Sequence, residues 1–339
     1  MPPSWPDLPR VPFLAGPTPL IPARRLSEAL GGPDIWLKRD DLTPIGLGGN
    51  KVRKLEYLIG DALTKPVDVV VTVGAAQSNH CVQTAAACNR VGLDCVVVLR
   101  GIPGTPTAGN ILADRLLGAE VRFVDMDMDE RNSVAASLVE ELEAAGRRPY
   151  LVPVGGSNGL GVIGYAQALF ELVEQTEALG LAPTAVLSAS GSGGTQAGLV
   201  LAAETLGRPF AVHGISVRAG ASALAARVAD LANAGAAIVG GPTVSSGDVI
   251  IHDGYVGAGY GELTDGVLEA IHLVARTEGV MLDPVYTGKA MSGLIGEVRA
   301  GRWRAGDTLI FVHTGGSPAL FAYGDRVLAE RIPAIAGLS

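Results

Sequence analysis

The chain predicts an α/β fold of mostly parallel strands in three-layer sheets, and two patterns carry that prediction. Short β-branched runs alternate with Ala/Leu-rich amphipathic stretches almost from end to end, which is how βαβ units and buried parallel strands read in sequence. Of the 339 residues 48% are hydrophobic and only 18% charged, enough apolar matter to cover both faces of such a sheet. The 46 glycines lie scattered between apolar runs with no fixed period, which sets aside collagen-like and low-complexity sequence.

In chain order, the first strand spans residues 35–38, and a Gly-Gly-Asn turn leads into a helix over 52–64. Strands at 69–73, 95–99 and 120–124 then alternate with helices at 77–90, 107–117 and 133–145. The second half repeats the alternation: helix 165–179, strand 185–188, helix 194–206, strand 211–217, helices 221–232, 261–278 and 288–300, and a strand at 308–312. The Gly-rich stretch 154–164 reads as a crossover. The prediction is two domains, a large one of residues 1–51 and 164–339 and a small inserted one of residues 52–163.

The formal charge is −8 and no Lys/Arg run exceeds a pair, so the chain carries no electrostatic footprint for nucleic acid or anionic lipid. Residues 1–14 have neither a basic leader region nor a sustained apolar one, and the apolar stretches fall short of the roughly 20 residues of a membrane helix. These features predict a cytoplasmic protein with a small-molecule partner and no membrane partner. Cys81, Cys88 and Cys95 form no CxxC pair, so neither a zinc site nor a disulfide framework is expected; Cys81 and Cys88 read as small core residues on one helix face.

Three segments carry candidate chemistry. Gly191-Ser192-Gly193-Gly194-Thr195 runs from a predicted strand into a predicted helix, where backbone amides and missing Cβ atoms suit a phosphate. It contains no GKS or GKT, and the next strand ends on Arg218 rather than an acid, so a monophosphate fits better than a nucleoside triphosphate or a dinucleotide. Lys51 follows Gly48-Gly49-Asn50 at the start of a helix, a placement suited to Schiff-base formation with an aldehyde cofactor. Arg53 and Lys54 in the same first turn oppose the helix dipole unless an anion offsets them. Finally, Ser78 and Asn79 of Gln77-Ser78-Asn79-His80 open a helix, as N-caps or as ligands of a carboxylate.

Together with Leu37-Lys38-Arg39-Asp40-Asp41, Gly257-Ala258-Gly259-Tyr260-Gly261, Asp283-Pro284-Val285-Tyr286-Thr287-Gly288-Lys289 and His313-Thr314-Gly315-Gly316, these segments resemble the D-cysteine desulfhydrase and ACC deaminase family of fold type II, tryptophan-synthase-β-like enzymes that use pyridoxal 5'-phosphate. The resemblance spans nearly the whole chain and implies a two-domain homodimer and no metal. It assigns Lys51 to the Schiff base, Lys54 and Gly191 to Thr195 to the phosphate, and Asn79 to the cofactor's ring hydroxyl. Ser78, Asn79 and His80 would take the substrate carboxylate, with Tyr260 and Tyr286 flanking the substrate. Val82 departs from the pattern, which often has Arg there.

Thr287 and Thr314 stand where the deaminases have Glu and Leu, and the resemblance sets them beside the pyridine nitrogen. A hydroxyl there sustains a weaker electron sink than a carboxylate does, which favours expulsion of a β-substituent over opening of a cyclopropane. The implied reaction is α,β-elimination from a small amino acid, with Lys51 taking the α-proton and D-cysteine giving pyruvate, sulfide and ammonia. L-cysteate sulfo-lyase, D-amino-acid ammonia-lyase and ACC deaminase are alternatives on the same scaffold. A non-catalytic protein that binds the cofactor or another small ligand is an alternative of another class.

Overall fold

A computed structural model describes residues 5–102, 104–125 and 130–329 of the chain. In chain order its elements are β1 (Leu20–Pro22), α1 (Arg24–Leu30), β2 (Asp34–Lys38), α2 (Lys51–Leu63), β3 (Val69–Gly74), α3 (Asn79–Val91), β4 (Asp94–Arg100), α4 (Gly109–Leu116), β5 (Glu120–Val124), α5 (Arg131–Ala144), β6 (Pro149–Leu151), α6 (Gly159–Ala178), β7 (Ala185–Ser190), α7 (Gly194–Thr205), β8 (Ala211–Ser216), α8 (Ala221–Val239), β9 (Ile250–His252), α9 (Asp265–Glu278), α10 (Thr287–Arg299), β10 (Thr308–Val312), α11 (Ser317–Ala322) and α12 (Gly324–Ala329). The expected α/β class with mostly parallel sheets is what the chain adopts.

The strands form a six-stranded sheet in the order β1-β2-β10-β7-β8-β9 and a four-stranded one in the order β5-β4-β3-β6. Every pairing is parallel except β1 with β2. All six residues of β3 and of β7 are buried, as expected of central parallel strands with helices on both faces. From β7 the chain winds outward to β8 and β9, whereas β10 lies on its other side, between β7 and β2. Strand order thus reverses between β7 and β10, and a crevice opens beyond their carboxyl ends.

Two helices differ instructively from the sequence expectation. The one expected at 165–179 begins at Gly159, where the Asn158 side chain caps the amide of Gly161 at 2.9 Å. Its glycines are contact points: a Cβ on Gly164 would lie 2.1 Å from the carbonyl of Arg53, and one on Gly159 would lie 2.6 Å from that of Ala234. They let α6 touch the first turn of α2 and the body of α8, so the supposed crossover is α-helix from Gly159 onward, after a single 3-10 turn at Val154–Gly156. The other, α8, continues past 232 to Val239. It has the length and composition of a membrane span, but Leu224, Val228, Ala232 and Ala236 on it are buried in a core cluster shared with α6 and α7.

Candidate active site

The crevice between β7 and β10 is part of a cleft with about 810 Å³ of non-protein space, the open solvent at its mouth included. The cleft is lined by Lys51 from α2, Ser78, Asn79 and His80 from the start of α3, Gly191, Ser192 and Gly193 between β7 and α7, Thr195 from the first turn of α7, Thr314 after β10, and Tyr260 and Tyr286. Asn50, Arg131, Ser157 and Arg218 were not singled out as site residues from sequence, yet Asn50, Arg131 and Arg218 line the same cleft and Ser157 stands behind it. Three expected residues do not line it: Lys54, Gly194 and Thr287.

The start of α2 is shaped by a turn that only glycine fits. Gly48 and Gly49 have φ of 77° and 133°, and a Cβ on them would lie 1.9 Å from the carbonyl of Asp41 and 2.4 Å from Nε2 of Gln83. Gln83 on α3 approaches that closely because its Oε1 caps α2, accepting from the amides of Lys51 at 3.0 Å and Val52 at 3.2 Å. Lys51 Nζ donates to Asn50 Oδ1 at 2.9 Å, and Asn50 Nδ2 donates to Thr195 Oγ1 at 2.8 Å. The amine is thereby tied to the first turn of α7. Burial lowers its pKa from the ordinary 10.5 to about 8, against the opposing pull of Asp283.

The three cations in the first turn of α2 meet different fates. Arg53 donates to both oxygens of Asp40 and both of Glu171, each at 2.9 Å, in a buried network that also holds Lys38, Thr18 and Tyr165. Burial alone would raise the Asp40 carboxyl, but Arg53 more than offsets that and holds it below its ordinary value. Lys54 is as deeply buried, and the acceptors of its Nζ are neutral: the carbonyl of Gly155 at 3.1 Å and Ser157 Oγ at 3.3 Å. Burial pushes its pKa down, and the nearby Lys51 and Arg227 push it further.

An anion fits here. A Cβ on Gly194 would lie 2.8 Å from Lys54 Nζ and 2.4 Å from Ser157 Oγ, so the bare glycine brings the amine and the amino end of α7 to one point. First-turn amides of a helix lack intrahelical acceptors, and the dipole favours negative charge there. A phosphate monoester at this point would receive Lys54 and those amides together.

On the other wall Ser78 caps α3 through the amide of Cys81 at 3.3 Å, and Asn79 Oδ1 accepts from Asn110 Nδ2 at 2.7 Å, which leaves its Nδ2 as donor. Thr72 Oγ1 donates to the carbonyl of Val152 at 2.9 Å, so its 2.8 Å contact with His80 Nε2 assigns the ring proton to Nε2. His80 Nδ1 is then a bare acceptor. Burial, with Lys51 and Lys54 nearby, keeps this ring neutral. Tyr260 and Tyr286 join hydroxyls at 2.7 Å. Burial raises the pKa of both and keeps both hydroxyls protonated.

Thr287 is fully buried with its hydroxyl spent on Asp283, donating to Oδ1 at 2.7 Å and accepting from the Asp283 amide at 2.8 Å. Asp283 accepts also from the amides of Val285, Tyr286 and Thr287, and so caps α10. Val82 is core. Among the described residues no group of His, Cys, Asp and Glu side chains is arranged to hold a metal ion.

The family model of pyridoxal-phosphate dependent enzymes matches residues 11–315. A crystal structure described as that of an ACC deaminase homologue superposes with a TM-score of 0.88 at 39% identity, covering 95% of this chain and 96% of the other. At lower identity, the processed form of threonine deaminase isoform 2 from Solanum lycopersicum (20%, TM-score 0.67, covering 96% of this chain and 85% of that one) and a fungal L-serine ammonia-lyase from Rhizomucor miehei (17%, TM-score 0.68, covering 93% and 98%) share the fold.

Proposed function

The chain belongs to the pyridoxal-phosphate dependent enzymes, and on that premise we propose that it is a lyase that expels a sulfur leaving group from Cβ of a small amino acid, D-cysteine first among them. Its cofactor is pyridoxal 5'-phosphate, which when bound supplies an electron sink for charge developing at the substrate Cα. The observation that carries the reading is the pair of buried amines on one helix turn, Lys51 in the cleft and Lys54 beneath the glycine turn.

In this reading Lys51 holds the cofactor's aldehyde carbon, and Lys54 with the first amides of α7 holds its phosphate. Ser78, Asn79 and the amides opening α3 bind the substrate carboxylate. Once displaced by the substrate's amine, Lys51 takes the Cα proton; its lowered pKa keeps part of the amine neutral near pH 8. Tyr286, hydrogen-bonded to Tyr260, holds a proton beside the departing sulfur. Thr314, which lines the cleft, is no carboxylate, which favours β-elimination over ring opening.

One observation favours a second substrate. Arg131 and Arg218 both line the cleft, and both lower the pKa of Tyr286. Two guanidinium groups beside the substrate suit an anionic β-substituent such as the sulfonate of L-cysteate. A side-by-side assay decides: pyruvate from D-cysteine or L-cysteate, with no ketobutyrate from ACC, is expected of the holoenzyme. Efficient ACC turnover would overturn the β-elimination reading and leave the family intact.

A further inference from the structure

Lys289 has no part in the chemistry above, and its setting is unusual. It stands in the first turn of α10 with its side chain fully buried. Nζ donates to the carbonyls of Val256 and Gly259, both at 2.6 Å. The amino end of a helix is the wrong end for a cation, and burying an amine without a carboxylate against it is costly. Glu262 is the carboxylate that acts on it from a distance, and burial outweighs that pull and lowers its pKa.

The two carbonyls belong to the segment 253–264 between β9 and α9. Gly254, Gly257, Gly259 and Gly261 make ordering this segment entropically expensive. It carries Tyr260, whose hydroxyl must meet that of Tyr286. Tyr286 directly precedes α10, three residues before Lys289, and is fixed by Asp283 accepting from its amide at 2.9 Å. Each tyrosine thus has its own buried charged anchor at the same end of α10.

We propose that Lys289 is a positioning residue that sets the register of segment 253–264 on α10, and through it the hydroxyl pair of Tyr260 and Tyr286. The proposal rests on the reading that this pair serves the lyase reaction. The segment has other ties, Tyr255 to Glu297 at 3.0 Å, the Ala221 amide to Asp253 at 2.8 Å and Arg326 to Glu262 at 3.4 Å, but the first two lie five and seven residues from Tyr260 and the third is exposed, whereas Lys289 is buried and holds Gly259, the neighbour of Tyr260.

The test compares holoenzyme of wild type, Lys289→Ala and Lys289→Met in tetramethylammonium, ammonium and methylammonium buffers, following kcat, KM and thermal melting. Lys289→Ala is expected to lose about 10²-fold in kcat/KM in tetramethylammonium, which offers no N–H donor, because a small misplacement of a reacting group costs that much. Ammonium or methylammonium entering the vacated space should restore at least about tenfold of it and raise the melting temperature, a rescue that lost packing would not show. Lys289→Met fills the space without donors, so it should lose activity and gain nothing from either cation. Wild-type kcat/KM in Lys289→Ala, or a loss indifferent to all three cations, would overturn the proposal. Should Lys289→Ala not fold, Lys289→Met decides: full activity overturns the proposal, and lost activity at unchanged melting supports it. Lys51→Ala, run alongside, separates the two readings, since activity there would sink the lyase assignment whatever Lys289 does.

Discussion

Arg53 and Lys54 are neighbours on one helix turn and equally hidden from water, yet the protein treats them oppositely. Arg53 meets two carboxylates and two hydroxyl-bearing side chains in its network, and each of its guanidinium nitrogens has an acceptor. Lys54 meets a carbonyl and a hydroxyl beside a glycine turn that points at it. Arg53, a buried cation with its own carboxylates, belongs to the architecture; Lys54, held by neutral oxygens beside the bare amino end of α7, is poised for an anion from outside. The tension between cations and helix dipole, legible in the sequence, has therefore two different resolutions one residue apart.

Substituting the two neighbours separates them. Arg53→Met leaves the buried Asp40 carboxylate without its cation and Glu171 with Lys38 alone, and should cost about 3–5 kcal/mol of folding stability, read by urea unfolding. Unchanged stability would mean that the network is incidental. Lys54→Met, by contrast, removes an amine that burial already disfavours, so the fold should hold or gain while the cofactor is lost on dialysis. The expected weakening is about 1.5–3 kcal/mol, the value of hydrogen bonds to a charged group. Full cofactor retention would break the comparison.

A smaller effect concerns Lys51. Its pKa lies at about 8, below the ordinary 10.5, so the neutral amine forms earlier as pH rises. Cofactor uptake by the cofactor-free protein should speed up roughly tenfold between pH 7 and 9 and then level off. A rate still climbing toward pH 10 would show an amine that burial has not perturbed.

Much of this was legible because it was local. Seven of the ten strands in the described residues announced themselves as short apolar runs, whereas β1, β6 and β9, three residues each, did not; Lys51, Ser78, Asn79, Tyr260, Tyr286 and Thr314 sat in motifs that the fold gathers around one cleft. What could not be read was long-range. The insertion of β10 between β2 and β7 depends on pairings such as Ile310 with Trp36 and Val186, which no local pattern encodes. Gly159, Gly161 and Gly164 read as a linker because glycine weakens a helix in isolation, whereas here it admits neighbouring backbones. Gln83 caps a helix 31 residues away from the Val52 amide it accepts, and Arg131 reaches the cleft from the start of α5; neither has a signal of its own. Thr287, expected beside the cofactor, turned out to be committed to Asp283.

The central claim is that Lys51, not Lys54, carries the cofactor's aldehyde while Lys54 serves its phosphate. Borohydride reduction of the holoenzyme followed by peptide mapping tests it most directly. The account predicts a single phosphopyridoxyl label on Lys51, in the peptide that also contains Asn50. A label on Lys54 or on any other lysine, or none at all in protein that retains the cofactor, would contradict it.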